Sequence, residues 1–202
     1  MGLFQEPIRV GRRRRSQGQT LVEFALVFPL FFTLLLGLIE FTMLFNATLS
    51  VNYGARDGAL AGAEAGDQAG ADCVILKAVE GAIGAPADRT RVDQVLIYNS
   101  THNGTMIGSA TIYTRTGAAN TTTCAAVDGS TIPYTLSANG YDQTNRCNIL
   151  AGCGGSSTTV DNIAVRVTYT HQWVTPLRNF IGGGPGGISF DRSSVMRMEP
   201  VL

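Results

Sequence analysis

Phe24-Ala25-Leu26-Val27-Phe28-Pro29-Leu30-Phe31-Phe32-Thr33-Leu34-Leu35-Leu36-Gly37-Leu38-Ile39-Glu40-Phe41-Thr42-Met43-Leu44-Phe45 carries one charged residue, Glu40. As a helix this stretch extends about 33 Å, enough for a hydrocarbon core of about 30 Å. A core helix of a soluble protein keeps its apolar side chains on one stripe, whereas these lie all round. The expected element is a transmembrane helix. Pro29 removes one backbone donor and should kink it, which membrane helices tolerate. Glu40 lies close to the far end and has two readings. The plainer one is a carboxylate that reaches the headgroups or takes up a proton; the other is a contact to a neighbouring helix.

Ahead of this run stands Gly11-Arg12-Arg13-Arg14-Arg15-Ser16-Gln17-Gly18. The 202-residue chain is formally neutral, with 15 basic and 15 acidic side chains, but the charges are unevenly placed. Residues 1–18 hold five Arg and one Glu, so the body carries the matching acidic excess. The positive-inside rule then keeps the N-terminus cytoplasmic and exports residues 46–202. A cleaved secretory signal would have a shorter apolar region and a small-residue site close behind it. Here the nearest such triplet, Ala61-Gly62-Ala63, is too far downstream, and the helix is expected to be retained. No global basic field points to nucleic acid.

Beyond the apolar run, Gly recurs every fourth residue at 54, 58, 62, 66 and 70, with Ala filling many of the places between. On a helix those glycines form one ridge without side chains, which lets another backbone or helix approach closely. Each Gly costs about 1 kcal/mol relative to Ala, so packing has to compensate. The partner of the ridge is open at this point, either another subunit or this chain's own strands. Asp72 can cap a second helix carrying Val74, Ile75, Val79 and Ile83, ended by Gly84 and Pro86.

From there the apolar period changes to two. Strands are expected over Val92–Tyr98, Ser109–Arg115, Ile132–Leu136, Asn162–Thr170 and Ile188–Met198. In the clearest of them Ile163, Val165, Val167 and Tyr169 share one face, and Ala164, Arg166, Thr168 and Thr170 the other. The fold class is therefore α+β: a long N-terminal transmembrane helix continuing into a small exported antiparallel sheet domain. Its parts are a basic leader (1–18), the transmembrane helix (19–45), an Ala/Gly-rich helical stalk (46–71) and an exported β-rich domain (72–202).

Cys73, Cys124, Cys147 and Cys153 all fall in the exported part, where thiols oxidise. Of three possible pairings the preferred one joins Cys147 to Cys153 across a Gly-rich loop and leaves Cys73 for Cys124. Zinc is disfavoured, because there is no CxxC and the two histidines, His102 and His171, are far apart in sequence. His171 continues the Ile163–Tyr169 face and is expected to be packed, while His102 sits in a turn. Trp173 and Phe180 read as core aromatics rather than a partner-facing patch. There is no G-x-S-x-G elbow, and Gly182–Gly187 lacks the Lys-Ser/Thr of a phosphate-binding loop. No enzyme activity, cofactor or metal is expected.

Arg12–Arg15, then Gly18, then Gln19-Thr20-Leu21-Val22-Glu23-Phe24 and an apolar run resemble a class III, type IV pilin-like leader. That resemblance implies cutting between Gly18 and Gln19 by a prepilin peptidase. Glu23 is then the carboxylate that neutralises the new N-terminal amine of an adjacent subunit. Gln19 departs from the apolar or aromatic first residue frequent in such substrates. The longer pattern, Gly18 through Phe28-Pro29, Gly37-Leu38-Ile39-Glu40-Phe41 and Asn52-Tyr53-Gly54-Ala55-Arg56-Asp57-Gly58, is similar to the TadE-like family of the tight-adherence (Flp) pilus apparatus. Ser194-Val195-Met196-Arg197-Met198-Glu199-Pro200 resembles that family's ending more weakly.

The resemblance implies a bitopic, pilin-like minor component of the inner membrane that helps assemble a tight-adherence pilus or secretion filament. It would pack laterally through Glu23, Phe24, Pro29, Glu40, Gly54, Gly58, Gly62 and Gly66. The expected partners are the lipid bilayer, prepilin peptidase and other pilin-like and pilus-assembly subunits, with no nucleic acid. The alternative is a membrane-anchored extracytoplasmic binding or adhesin domain that stays outside any filament.

Overall fold

The computed structural model describes residues 16–117, 122–148, 159–181 and 186–199. Its first element is a 50-residue helix, α1 (Ser16–Ala65), in which two sequence patterns follow one another. From Gly18 to Leu35 every residue is exposed, with Leu, Val and Phe on all sides. Further along, Ala47, Val51, Gly54, Ala55, Gly58, Ala59, Gly62, Ala63 and Gly66 are buried. Their steps of three and four residues make a single stripe. The helix passes Pro29 and the 45/46 position without interruption. The expected division into a transmembrane helix and a stalk is thus not a break in the backbone. Nor is 46–71 a free-standing stalk, because its buried stripe is part of the core.

Gly66, at φ 62°, closes α1, its N–H bonding Gly62 O at 3.1 Å. A left-handed glycine just past the last turn satisfies an otherwise orphaned carbonyl. The chain reverses and enters α2 (Ala71–Ala82) through Gly70 at φ 88°. Asp72 is not the cap expected from the sequence; it lies in the first turn of α2 and is buried. Helix α2 ends at Ala82, just before Gly84 and the cis bond preceding Pro86.

After a 3₁₀ turn (Arg89–Arg91) come β1 (Val92–Ser100), β2 (Met106–Arg115), β3 (Thr122–Thr123), β4 (Thr131–Ile132) and β5 (Tyr134–Asn139). Then follow β6 (Asn162–His171), a short helix α3 (Arg178–Ile181) and β7 (Ile188–Arg197). Five strands form one antiparallel sheet in the order β5-β2-β1-β6-β7, and β3 pairs with β4 as a separate ribbon. The β1–β6 register sets Val95 opposite Val167, Ile97 opposite Val165 and Asn99 opposite Ile163. Ile163, Val165, Val167 and Tyr169 are all essentially inaccessible, as their shared face predicts. That face carries α1 and α2, with α1 lying against β6 and β7.

Ion pairs and a disulfide hold α2 down. Near its start, the Asp72 carboxylate accepts from Tyr113 Oη at 2.9 Å and pairs with the fully buried Arg146 guanidinium. Near its end, Glu80 pairs with Arg115 and accepts from Tyr134 Oη. Asp161 accepts from Tyr141 Oη at 2.9 Å, Asn99 Nδ2 at 2.8 Å and Cys147 N at 3.0 Å. Burial, reinforced by the neighbouring carboxylates, pushes the three phenols well above the ordinary tyrosine range, so they stay neutral donors. Cys73 is bonded to Cys124, 51 residues on, with Cα atoms 5.7 Å apart. Cys147 is also oxidised, while its expected partner, Cys153, lies outside the described residues.

Candidate membrane and assembly site

The uncovered half of α1 bears the residues expected at the processing site and the first of those expected to pack laterally. Gly18, Gln19, Glu23, Phe24 and Pro29 are all exposed there. Gln19 Nε2 donates to Glu23 Oε1 at 3.1 Å, an i,i+4 contact on the helix surface. Phe24, Phe28 and Phe32 form a ladder along the helix, with successive ring centroids 5.4 and 5.8 Å apart. Among the described residues this is the one helix long and apolar enough to cross a membrane.

Glu40 has neither of its expected surroundings. It is only 4% exposed, and its partners come from this chain rather than from headgroups or a neighbouring helix. Oε1 accepts from Val174 N at 3.1 Å and lies 3.1 Å from His171 Nε2; Oε2 accepts from Thr175 N at 2.9 Å. A buried carboxylate is tolerable only with such donors. His171, packed at the end of β6 on the core face, is the anticipated ring with an unanticipated partner. One turn before Glu40, a Cβ added at Gly37 would touch Leu177 at 3.9 Å. The segment between β6 and α3 is therefore fixed to the helix at the level of residues 37–40.

The glycine ridge also turns inward. A Cβ at Gly54 would lie 2.8 Å from Ile83 Cγ1, one at Gly58 2.6 Å from Val79 Cγ2, and one at Gly62 2.7 Å from Ile163 Cδ1. The order of these contacts makes α1 and α2 an antiparallel hairpin. Gly54, Gly58 and Gly62 are thus matched to α2 and β6 of their own chain, and Gly66 serves the turn. As subunit-packing positions these four are corrected, because the surface they would offer is already filled. Trp173 is half-buried beside the Glu40 clamp rather than a core residue, and the side chain of Phe180 lies outside the described residues.

No group of three or more His, Cys, Asp or Glu among the described residues could hold a metal ion. An open groove of about 730 Å³ lies at the far end of α2, lined by Glu80, Arg89, Asp93 and Arg115 among others. Its charges are largely paired already, Glu80 with Arg115 and Asp93 with the Thr170 hydroxyl.

Along α1 stand, in order, an exposed glycine, a carboxylate, an uncovered apolar run, a clamped carboxylate and a glycine ridge. Residues 18–60 match the model of the TadE-like protein family. This TadE-like segment begins at Gly18 and ends within the ridge, so it contains the uncovered half of α1 and the Glu40 clamp helix but none of the sheet. The family implies involvement in assembly of tight-adherence (Flp) pili. Neither a curated protein nor a solved structure matches the chain.

Proposed function

We propose that this protein is a bitopic, pilin-like, non-enzymatic component that assists assembly of a tight-adherence pilus or secretion filament. The observation that carries this reading is the division of α1. One half packs a continuous stripe into the sheet domain, and the other, largely apolar, is exposed on every side from Gly18 to Leu35. Such a surface calls for lipid before assembly and for like helices after it. Gly18–Ile39 extends about 33 Å, and the packing of Glu40 against His171, Val174 and Thr175 favours these residues over 24–45 as the span. The Arg12–Arg15 cluster supports a cytoplasmic N-terminus and an extracytoplasmic sheet domain.

Prepilin peptidase cuts between Gly18 and Gln19, and the Glu23 carboxylate then meets the free amine of a neighbouring subunit. In an apolar bundle that pairing removes the cost of an uncompensated charge. Mass spectrometry of the protein from cells holding the peptidase should find a mature N-terminus at Gln19, lost in Gly18→Ala. A Cβ at Gly18 meets nothing within 4 Å, so this variant leaves the fold intact. Full-length chain in both strains would end the processing claim. Glu23→Ala should insert normally and impair piliation, and normal pili from that strain would remove its intersubunit role.

The groove beside Glu80 and Arg115 favours a second reading, an anchored binding domain outside any filament. Absence of the protein from purified pili, with normal pili in a deletion strain, would select it.

A further inference from the structure

Resting on the reading that Gly18–Ile39 crosses the bilayer, we infer that the segment joining β6 to α3, residues 172–178, is a membrane-docking loop. It seats the sheet domain on the lipid headgroups instead of holding it away on a stalk.

Two independent observations converge on this loop. The first is its level on the helix. Glu40 binds the backbone N–H groups of Val174 and Thr175, and Leu177 packs at Gly37. The loop is therefore locked to α1 just past Leu35, where exposure on all sides ends, with Phe41 and Phe45 still exposed farther along. If about 33 Å of helix up to Ile39 fills the hydrocarbon, the loop stands at its edge. It cannot lie deeper, because irregular backbone facing lipid would leave peptide groups unpaired.

The second is what the loop displays. Trp173 and Leu177 are half-buried, and Val174 is 57% exposed. Arg178 is exposed, and residues 172–178 contain no acidic side chain. Trp prefers the headgroup level, where its ring is half apolar and its N–H can reach water. An Arg beside it can extend to phosphate. Val174 exposed to water would gain nothing, whereas the same side chain in the interface is buried.

Trp173 is the sole tryptophan of the chain, so its fluorescence reports this loop alone. The test uses the full chain in vesicles of phosphatidylcholine and phosphatidylglycerol carrying bromine at different acyl depths. Shallow bromines should quench Trp173 more strongly than bromines near the bilayer centre, and Val174→Asp should lose that shallow quenching while staying carbonate-resistant. Absence of quenching in carbonate-resistant vesicles overturns the loop's seat. Acrylamide then reports the indole's surroundings, open if it stands in water and shielded if it packs on protein. Unchanged quenching in Val174→Asp also overturns it. Release of the protein by carbonate is the distinct result that overturns the spanning reading and the loop's seat together.

Discussion

Glu40 and the glycines of α1 show how single positions fix the relation between helix and sheet. Glu40→Ala strands the N–H groups of Val174 and Thr175 with no acceptor, and each unpaired buried donor costs about 1–3 kcal/mol. We expect the loop to detach from α1 locally before the sheet unfolds. Hydrogen exchange at those two amides should accelerate strongly in Glu40→Ala and less in Glu40→Gln, which keeps a carbonyl acceptor. Exchange unchanged in both would mean that the carboxylate is not what holds the loop. At Gly58, Ala already places a carbon 2.6 Å from Val79 Cγ2, so Gly58→Ala should destabilise by about 1–3 kcal/mol. Gly81 in α2 is the control: nothing lies within 4 Å of its Cβ position, and Gly81→Ala should stabilise by about 0.5–1 kcal/mol. Urea unfolding of the two variants in detergent checks both signs.

Among elements, α2 depends most on a covalent tie. The Cys73–Cys124 bond closes a loop of 51 residues, and the chain-entropy model gives it about 4 kcal/mol. Cys73→Ser with Cys124→Ser should lower the denaturation midpoint accordingly and loosen α2 first, read from exchange protection along Val74–Val79. Most of these elements were legible in the sequence. The period-two runs located β1, β2, β6 and β7 to within a few residues, and the Gly84/Pro86 signal ended α2 correctly. The expected strand at Ile132–Leu136 is divided between β4 and β5, and Tyr134–Asn139 supplies the sheet edge. Burial at the β3–β4 ribbon rests on Ile132 and on Cys124 just after β3, a pattern too short for any periodicity to register.

At the scale of the whole molecule, what the sequence left hidden is register between distant parts. Glu40 and His171 are both visible as polar residues on apolar faces, yet 131 residues separate them and no local rule sets helix against strand. The same holds for the glycine ridge, whose spacing announces close packing without naming the partner. Acid should reveal the charged ties of the folded domain. The Thr144 hydroxyl and Asn139 amide hold Asp142 down to about 2, and Lys77 holds Asp128 to about 2. Both lie below the ordinary carboxylate value of about 3.9, so their contribution is present above about pH 4 and lost as pH falls toward 2. The urea midpoint should be flat near neutrality and fall below pH 4, with a shallower fall in Asp142→Asn. An equal fall in that variant would assign the acid sensitivity elsewhere.

Because α1 runs as one continuous helix from Ser16 to Ala65, about 75 Å of it links the uncovered end to the sheet, with Pro29 the place along it where a backbone donor is missing. A pull applied at its uncovered N-terminal half is carried into the sheet through the packed half. On the proposed reading that the uncovered half spans the membrane, tilting the packed half of the helix tilts the sheet domain with it. On the same reading, withdrawal of the uncovered half from lipid would lift the outer body and the greasy shaft in one stroke, first prying away whatever part of that body adheres to the surface.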